Sequence, residues 1–452
     1  MKTAIQRGTA NRSGHDPRTA ALRILDQVFT GNDPSQLLLD KTLTETKLVP
    51  SDKSLCTELV YGYLRNRIRL TWNLEQLLRN PDGLPGEMLL ALGLASYEIA
   101  HLRIPPHASV NWAVTRIRNR FGKGLAGVAN GVLRSFVRSM KGYADETRYI
   151  DALGREEGLA ILYSIPGWVA KLWLDEYGEE RARAYMKASS CPAFPAIRIN
   201  AAVEDAVTVR IDLMTKGQRE NKASLPIGPW GIAFPSGLPF AARKLEREGR
   251  LSFQAAAVQE LLQETEMPSW PSPVWDACAG RGGKTAAMLE RGLSVSVSSD
   301  IATARIQALP DELTRLGFAE NKHPVVLEAD AANVSDHPVF ATKFATVLLD
   351  VPCSGLGTLA RRPEIRYRRI EADIAGFVAT QDSLLDSAAR HVRDDGQIVY
   401  VTCTLNPAEN EERILAFLNR VSCFVLEKEW TTASDSSWNE FLYAAVLRKK
   451  CQ

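Results

Sequence analysis

Two cysteines lie where one sheet would bring them together. Cys353 stands in the segment DVPCSGLG, residues 350–357, and Cys403 stands in YVTCT, residues 400–404. Each directly follows a run of β-favouring residues that we predict to be a strand of the same sheet. If the two strands are neighbours, both thiols open into one cleft at the sheet edge. A thiolate is a strong nucleophile, so the pair is a candidate reactive centre.

Other kinds of cysteine chemistry fit this sequence poorly. Hydrolytic triads need a histidine partner, and neither His337 nor His391 lies in a recognisable triad context. Metal ligation would need histidines or further cysteines at short spacing. Zinc cytosine deaminases carry C-x-x-C after Pro-Cys, and position 356 is Leu. The pair therefore indicates covalent nucleophilic chemistry.

A glycine turn forms a second candidate site. Residues 276–285, DACAGRGGKT, follow a short apolar run and lead into a helix-like segment. Gly280, Gly282 and Gly283 permit positive φ angles and a close approach of the backbone to a ligand. The helix N-terminus beyond them adds unpaired N–H groups. The turn suits an amino-acid-plus-nucleoside ligand such as S-adenosylmethionine, with a plain strand–helix turn as the alternative.

The ending Gly-Gly-Lys-Thr also suggests a phosphate-binding P-loop. That loop needs a glycine five residues before Gly283, so that its amides surround the phosphates. The position is occupied by Cys278. The spacing therefore excludes a P-loop.

The C-terminal half must position both candidate sites. From about residue 246, β-favouring runs alternate with helical segments, which is typical of a doubly wound α/β sheet with parallel strands. In such sheets, ligands bind beyond the carboxyl ends of the strands. The predicted strands cover residues 274–276, 294–300, 324–330, 345–350 and 397–402.

An aspartate falls at the end of each of the first four predicted strands. Asp300 follows the second strand and is suited to accept hydrogen bonds from ribose hydroxyls. Asp330 could meet an adenine amino group, with capping of the following helix as the alternative. The four residues are Asp276, Asp300, Asp330 and Asp350.

The rest of the chain divides into three predicted regions. Residues 1–18 form a basic tail, and residues 19–142 carry apolar residues at helical spacing throughout, which predicts an all-α bundle. Residues 143–245 have mixed character and predict a small α/β module that joins two larger domains. Residues 246–452 complete the chain as the sheet domain described above.

Composition excludes several protein classes. The 452 residues are 45% apolar and 24% charged, with a net charge of +2, so any nucleic-acid surface must be local. Seven cysteines without a C-x-x-C pair fit a reducing cytosol better than a disulfide framework. No apolar run approaches the roughly 18–20 residues that span a bilayer, and no secretory signal is evident. We expect a cytoplasmic monomer that binds neither membrane nor metal.

Three motifs resemble the Sun (Fmu) family of S-adenosylmethionine-dependent RNA cytosine-5 methyltransferases. The glycine turn resembles the cofactor motif of that family. Residues 348–358, LLDVPCSGLGT, with RRPEIR at 361–366, resemble the next motif. Residues 398–411, IVYVTCTLNPAENE, resemble the motif that carries the nucleophile. The two cysteine motifs together are the most specific part of the resemblance.

The N-terminal region resembles a NusB-type RNA-binding helical domain. With this domain in front, the resemblance covers nearly the whole chain and narrows to members that act on small-subunit (16S) ribosomal RNA. The similar segments are residues 21–28, 58–65, 104–111 and 129–134.

The resemblance implies a role for each reactive residue. Cys403 would attack carbon 6 of a cytosine, so that carbon 5 becomes nucleophilic enough to take the methyl group. Asp350 would hydrogen-bond nitrogen 3 of the base and stabilise the charge that develops there. Cys353 would assist removal of the carbon 5 proton and release of the enzyme.

The resemblance also implies binding residues. Contacts with the RNA backbone are expected from Arg361, Arg362 and Arg366, with a solvated basic face as the alternative. The expected contacts with S-adenosylmethionine come from Asp276, Cys278, Ala279, Gly280, Arg281, Gly282, Gly283, Lys284, Asp300, Asp330 and Asp350.

One departure from the family pattern keeps rival functions open. Gly280 and Arg281 stand where the family usually has Ala-Pro, and an arginine there could clash with, or pair to, the methionine carboxylate. One rival is therefore an RNA-binding or assembly protein with a degenerate cofactor site. Another is DNA cytosine methylation, which would make Cys353 the nucleophile.

Overall fold

The computed structural model describes residues 16–334 and 337–450, whose contacts divide the chain into two units. The predicted basic tail, residues 1–18, lies outside the described residues except for its last three. The predicted boundaries at residues 142 and 245 stay predictions. The first unit comprises Met1–Asp175, Ser189–Cys191 and Arg362–Arg368, and the second comprises Glu176–Ala188, Pro192–Arg361 and Arg369–Gln452.

The first unit is helical, as predicted. Its first helix starts at a proline, and Asp16 caps it by accepting a hydrogen bond of 3.0 Å from the amide of Thr19. Apolar residues at helical spacing are buried on each of the first six helices and form one core. The helices are α1 Pro17–Thr30, α2 Ser35–Glu45, α3 Pro50–Glu75, α4 Gly86–His101, α5 Pro106–Phe121, α6 Lys123–Ser139, α7 Glu146–Leu153 and α8 Arg155–Leu162.

A segment from the C-terminal half of the sequence belongs to this helical unit. The Tyr367 hydroxyl donates to the carbonyl of Leu64 at 2.5 Å, and the Tyr367 ring packs edge-on against Phe29. Ser35 donates its hydroxyl to the buried Glu364 at 2.8 Å. These contacts join the core that α1, α2 and α3 form. The segment Arg362–Arg368 is thus part of the structure of this unit.

The second unit contains two sheets and the remaining helices. The long helix α9, Gly167–Ser189, has a break at Gly178, and its residues are divided between the units; α16, Ile365–Arg368, lies in the first unit. The other helices are α10 Ala206–Arg219, α11 Ala242–Arg247, α12 Ala256–Glu264, α13 Gly283–Glu290, α14 Thr303–Ile306, α15 Leu309–Arg315, α17 Asp373–His391 and α18 Glu411–Arg420.

The smaller sheet has four short antiparallel strands in the order β2-β3-β1-β4. Its core is a cluster of apolar residues from the strands and from α10 and α11. The strands are β1 Ala196–Ile199, β2 Leu225–Ile227, β3 Gly231–Ala233 and β4 Leu251–Phe253.

The larger sheet has seven strands in the order β10-β11-β9-β8-β5-β6-β7. The predicted doubly wound α/β arrangement is confirmed. Five strands are parallel, as expected, whereas β10 and β11 pair antiparallel at one edge. The strands are β5 Val274–Asp276, β6 Val295–Asp300, β7 Val325–Glu328, β8 Phe344–Asp350, β9 Val392–Thr402, β10 Phe424–Thr431 and β11 Tyr443–Lys449.

The strand order places a switch point beside the glycine turn. β5 lies between β6 and β8, so the chain runs outward from β5 to β7 and then returns to begin β8 on the other side. Parallel strands buried on both faces read as continuous apolar runs, and β8 is buried along almost its whole length. Ligands bind beyond the carboxyl ends of the strands at such a switch point. The candidate residues therefore belong to the expected crevice.

Among the residues that the structure describes, no helix is long and apolar enough to cross a membrane.

We expect Tyr367→Phe to lower the free energy of unfolding of the helical unit by about 1 kcal/mol, because the variant loses one buried hydrogen bond to Leu64. Urea denaturation of the full chain, followed by circular dichroism, measures the change. Arg362→Ala is the matched control, because Arg362 is exposed in the same segment. Equal stability of the Tyr367 variant and the wild type would contradict the assignment of this segment to the core.

Candidate active site

The two cysteines lie in contact. β8 pairs parallel with β9, and Asp350 stands opposite Val401 in the register. The turns that follow the two strands bring the Sγ atoms of Cys353 and Cys403 to 3.2 Å, and the amide of Cys403 donates to the Cys353 sulfur at 3.3 Å. The expectation that both thiols would meet at one sheet edge is therefore confirmed.

The backbone fixes the two turns to each other. The Gly357 amide donates to the carbonyl of Cys403 at 3.0 Å, and the Gly357 carbonyl accepts from Phe441 at 2.8 Å. A Cβ atom at Gly357 would overlap the backbone of Phe441, so only glycine fits this close approach. Close packing against Phe441 therefore explains why the second glycine of the Cys-Ser-Gly-Leu-Gly segment, Gly357, is a glycine.

The two thiols differ in their electrostatic surroundings. The hydrogen bond with Cys403 raises the pKa of Cys353 well above its usual value, and burial and the negative charges of Cys403 and Glu409 act in the same direction. Cys353 therefore resists ionisation while Cys403 stands beside it.

Lys284 and Asp350 form an ion pair beside the thiols. Lys284 Nζ bonds Asp350 Oδ2, and the lysine side chain is only 12% exposed. Burial opposes the charge of the ammonium group, but Asp350, Asp276 and Cys403 outweigh it, so the pKa of Lys284 is raised. Lys284 therefore stays protonated, and its positive charge close to the Cys403 sulfur favours the thiolate.

Asp276 is a buried carboxyl group with a free acceptor. Thr285 donates its hydroxyl to Asp276 Oδ2 at 2.6 Å, whereas Oδ1 has no hydrogen-bond partner. Burial raises the pKa of this carboxyl group to about 7, against the smaller opposing effects of Thr285 and Lys284. A buried acceptor without a partner is costly, so the site would gain from a ligand that donates a hydrogen bond here.

The glycine turn has the geometry of a ligand cradle. Gly280 and Gly282 adopt positive φ angles of 57° and 83°, whereas Gly283 is the first residue of α13. A Cβ atom at Gly282 would overlap the Leu309 side chain. At Gly280 and Gly283 it would meet open space, which leaves their backbone approachable. The turn fits the nucleoside-type ligand predicted from its sequence.

Asp300 already bonds this turn. Its carboxylate accepts hydrogen bonds from the amides of Gly280 and Ala302, at 2.9 and 2.8 Å, and Arg305 lies 3.1 Å away. Asp300 therefore holds the shape of the turn as well as standing at the end of β6. Its contact with a ribose stays a prediction.

Asp330 lies beyond the end of its strand, because β7 ends at Glu328. Its carboxylate accepts from the amide of Ala332 at 3.0 Å and from the side chain of Asn333 at 3.1 Å, and the residue is exposed. These bonds lie within a turn, and the next helical element of the described residues begins only at Pro338, so the helix cap that we gave as the alternative is not found. An adenine contact through Asp330 stays a prediction.

The other turn residues differ in burial. Cys278 is partly buried, and burial raises the pKa of its thiol above the usual range. The Ala279 amide donates to the carbonyl of Ser299 at 2.9 Å, which joins the turn to β6. Arg281 is exposed. Its effect on a methionine carboxylate stays a prediction.

The three arginines predicted to contact RNA differ in their surroundings. Arg362 is exposed. Arg361 bonds Glu440 through two nitrogens, each at 2.7 Å, and keeps 38% of its side chain exposed. Arg366 is buried and donates to the carbonyls of Ser164 and Ser189 at 3.0 and 2.6 Å. Arg366 therefore serves the helical core, and its predicted RNA contact is corrected.

Sequence analysis missed a buried arginine that supports the cofactor turn. Arg198 on β1 forms a bidentate ion pair with Glu290, at 2.7 and 2.8 Å, and donates to the Gly283 carbonyl at 3.0 Å. Gln254 donates to the same carbonyl at 3.2 Å. The only sign of this role in the sequence is an arginine inside the apolar strand AIRI. Its partner Glu290 lies 92 residues away in the chain.

No group of histidine, cysteine, aspartate and glutamate side chains is arranged to hold a metal ion in residues 16–334 and 337–450.

Comparison with known proteins gives matches to both halves of the chain. The family described as 16S rRNA methyltransferase RsmB/F matches residues 263–441, and the NusB family matches residues 15–138. The crystal structure of the protein PH0851 is similar with a TM-score of 0.71 and 21% identity, and the match covers 96% of this chain and 99% of that one. The structural similarity supports the fold of the whole chain.

Two curated relatives are similar over most of their length. The probable ribosomal RNA small subunit methyltransferase B of Bacillus subtilis is 30% identical over 404 residues, which cover 89% of this chain and 88% of the relative. The protein of the same name from a Synechocystis strain is 32% identical over 426 residues, which cover 92% of each chain.

We expect the buried Asp276 to leave a pH signature in stability. Between pH 3.8 and about 7 the folded chain keeps a proton on Asp276 that the unfolded chain has released, so this residue lowers stability as the pH rises. Asp276→Asn removes the effect. The unfolding free energy of the variant minus that of the wild type should therefore increase by on the order of 4 kcal/mol between pH 4 and pH 8.

Urea denaturation of both proteins across this pH range measures the difference. If the unfolding free energies of the two proteins change with pH in parallel, Asp276 ionises in the folded state as it does in the unfolded chain.

Proposed function

The chain belongs to the 16S rRNA methyltransferase RsmB/F family, and on that premise we propose that it transfers a methyl group from S-adenosylmethionine to carbon 5 of a cytosine in small-subunit ribosomal RNA. The observation that carries the proposal is the contact of two unlike thiols at the ends of β8 and β9. An aromatic carbon is a poor nucleophile, so methylation at carbon 5 needs covalent activation of the ring. A thiolate beside a lysine can supply that activation.

S-adenosylmethionine would lie on the glycine turn, near Asp276, Gly280, Asp300 and Lys284. When bound, it supplies an electrophilic methyl group. Asp276 offers a buried acceptor without a partner among the described residues, and the amides at the start of α13 offer donors. Asp300 keeps the turn in shape through the Gly280 amide. The free acceptor of Asp276 and the open space above the turn support this assignment.

Cys403 is the proposed nucleophile. Its thiolate forms a bond to carbon 6 of the cytosine, and the electrons of the ring double bond make carbon 5 nucleophilic. Carbon 5 then takes the methyl group, the bond between that methyl group and the sulfonium sulfur of the donor breaks, and a neutral thioether leaves. The raised pKa of Cys353 and the charge of Lys284 both support a thiolate at Cys403 rather than at its neighbour. The same observations disfavour the alternative in which Cys353 attacks, as in DNA cytosine methylation.

Asp350 and Lys284 are the proposed partners of the cytosine ring. As the Cys403 sulfur adds, negative charge spreads towards nitrogen 3 and the exocyclic oxygen. The ammonium group of Lys284 can offset this charge, and Asp350 holds the ammonium in place. Asp350 keeps 36% of its side chain exposed and is also the proposed hydrogen-bond partner of nitrogen 3. An ion pair fixed before the substrate binds needs little rearrangement during the reaction.

Cys353 is the proposed base that completes the reaction. Once the Cys403 sulfur is a neutral thioether, its hydrogen bond and charge no longer raise the pKa of Cys353. The Cys353 thiol can then release its proton to solvent and accept the proton of carbon 5. The ring double bond re-forms as the bond between sulfur and carbon 6 breaks, and Cys403 leaves as a thiolate.

The target base must leave its stack to reach two partly buried thiols. Cytosines in single-stranded loops or bulges are the least costly to turn out, so we expect the target in such a segment. The exposed Arg362 and the half-exposed Arg361 remain candidates for contacts with the RNA backbone.

Single cysteine variants test the proposed roles. We expect Cys403→Ala to abolish methyl transfer to small-subunit ribosomal RNA, because no thiolate remains to activate the ring. We expect Cys353→Ala to accumulate a protein–RNA complex that survives denaturing electrophoresis, because the carbon 5 proton is not removed. Incorporation of a radioactive methyl group and gel electrophoresis measure the two outcomes.

Cys423→Ala is the control, since this cysteine lies outside the site in the loop before β10. A complex that requires Cys353 and not Cys403 would reverse the assignment. Titration calorimetry with S-adenosylmethionine separates the enzyme from an RNA-binding protein with a degenerate cofactor site, which would show no binding at millimolar cofactor.

A further inference from the structure

We infer that Glu409 is a positioning residue that fixes the two cysteine turns to each other and keeps the two cysteines in different roles. The inference rests on the proposed function, in which Cys403 attacks and Cys353 acts later. Glu409 lies in a short 3₁₀ helix, Pro407–Glu409, between β9 and α18.

Glu409 is fully buried, and neutral groups donate to its carboxylate. The amide and the hydroxyl of Ser354 donate at 2.8 and 2.5 Å. The side-chain amides of Gln381 and Asn406 each donate at 3.1 Å. A buried carboxylate is stable only when hydrogen bonds replace its lost hydration, and four donors do so here. Four donors to one buried carboxylate indicate a specific arrangement rather than incidental packing.

The donors come from both sides of the reactive pair. Ser354 directly follows Cys353 in the chain, and its hydroxyl lies 2.7 Å from the hydroxyl of Thr404, which directly follows Cys403. Asn406 lies on the Cys403 side as well. Glu409 therefore bonds the Cys353 turn through Ser354 and the Cys403 turn through Asn406. The hydroxyl groups of Ser354 and Thr404 form a further contact between the two turns.

Three further bonds hold the backbone around the carboxylate. Gln381 on α17 donates to the carbonyl of Pro352 at 3.1 Å as well as to Glu409. Asn410 donates to the carbonyl of Thr404 at 3.0 Å, and Tyr400 donates its hydroxyl to the Glu409 carbonyl at 2.7 Å. Glu409 and its neighbour Asn410 thus hold the residues on both sides of Cys353 and the residue that follows Cys403.

The charge of Glu409 also acts on the thiols. It is one of the groups that raise the pKa of Cys353, after Cys403 itself and burial. A negative charge on that side of the pair makes a second one on Cys353 unfavourable. Lys284 stands among the groups that interact with Cys403 and favours charge there. Glu409 therefore disfavours a thiolate at Cys353, whereas Lys284 favours a thiolate at Cys403.

The substitution Glu409→Gln tests both effects with little change in shape. The amide has one acceptor oxygen and no charge, and its NH2 group would face a donor of Ser354 or Asn406. We expect kcat for methyl transfer to fall by about 10²-fold, as a displacement of about 1 Å would cause, with KM for RNA and for S-adenosylmethionine unchanged. The control is Glu412→Gln, because Glu412 is exposed on α18 and loses the same charge.

Alkylation of the free protein gives a second readout that needs no methyl transfer. Limiting iodoacetamide followed by peptide mass spectrometry should label Cys403 before Cys353 in the wild type and in Glu412→Gln. In Glu409→Gln the preference should shrink or reverse, because Cys353 loses the neighbouring charge. A merely structural role would change stability without changing which cysteine reacts first. The readout also remains valid if the proposed substrate is wrong.

Ser354→Ala provides a milder variant should Glu409→Gln fail to fold. It removes the hydroxyl bonds to Glu409 and Thr404 but keeps the backbone bond to the carboxylate. A smaller loss of kcat and a smaller change of alkylation preference are expected in the same direction. Wild-type kcat together with wild-type preference in both variants would overturn the inference.

Discussion

The active site depends on the parallel pairing of β8 with β9. Both strands are buried, so their register is fixed by the core and cannot slip without moving apolar side chains towards water. That register places Cys353 and Cys403 in two adjacent turns with their sulfurs 3.2 Å apart. Two thiols so close share one proton more readily than they ionise together. The chemistry proposed for the pair begins from this constraint.

Groups around the pair make the two thiols unlike. Glu409 is buried beside the Cys353 turn, and Lys284 bonds Asp350 on the other side. Each of these charges would be costly alone, and each is matched by hydrogen bonds or by an opposite charge. Asp276 is the exception, since one of its oxygens has no partner. Under the proposed function, the unmatched acceptor lies in the region for the cofactor and the matched charges lie in the region for the base.

The sequence predicted much of this arrangement because its signals are local. Strand, turn and helix alternate clearly after residue 246, and each reactive cysteine directly follows its strand, so a shared sheet edge followed from topology alone. The glycine turn was identified in the same way. The last two strands, β10 and β11, were not among the five predicted strands, and β11 runs antiparallel to both of its neighbours.

Distant contacts account for what sequence reasoning missed. Arg366 was predicted to contact RNA because it lies in a basic run, yet its partners, Ser164 and Ser189, are 202 and 177 residues away in the chain. Glu409 was part of a recognised motif but had no role, since Ser354 and Gln381 reach it only in the fold. Whether a charged side chain is buried depends on such distant partners.

The most direct test of the account is to identify the atom that bonds the RNA. A small-subunit ribosomal RNA transcript containing 5-fluorocytosine should trap the wild-type chain, because fluorine at carbon 5 cannot leave as a proton. Protease and nuclease digestion followed by mass spectrometry then locates the modified peptide. The account predicts a methylated fluorocytosine nucleotide on Cys403. The same adduct on Cys353 would contradict it.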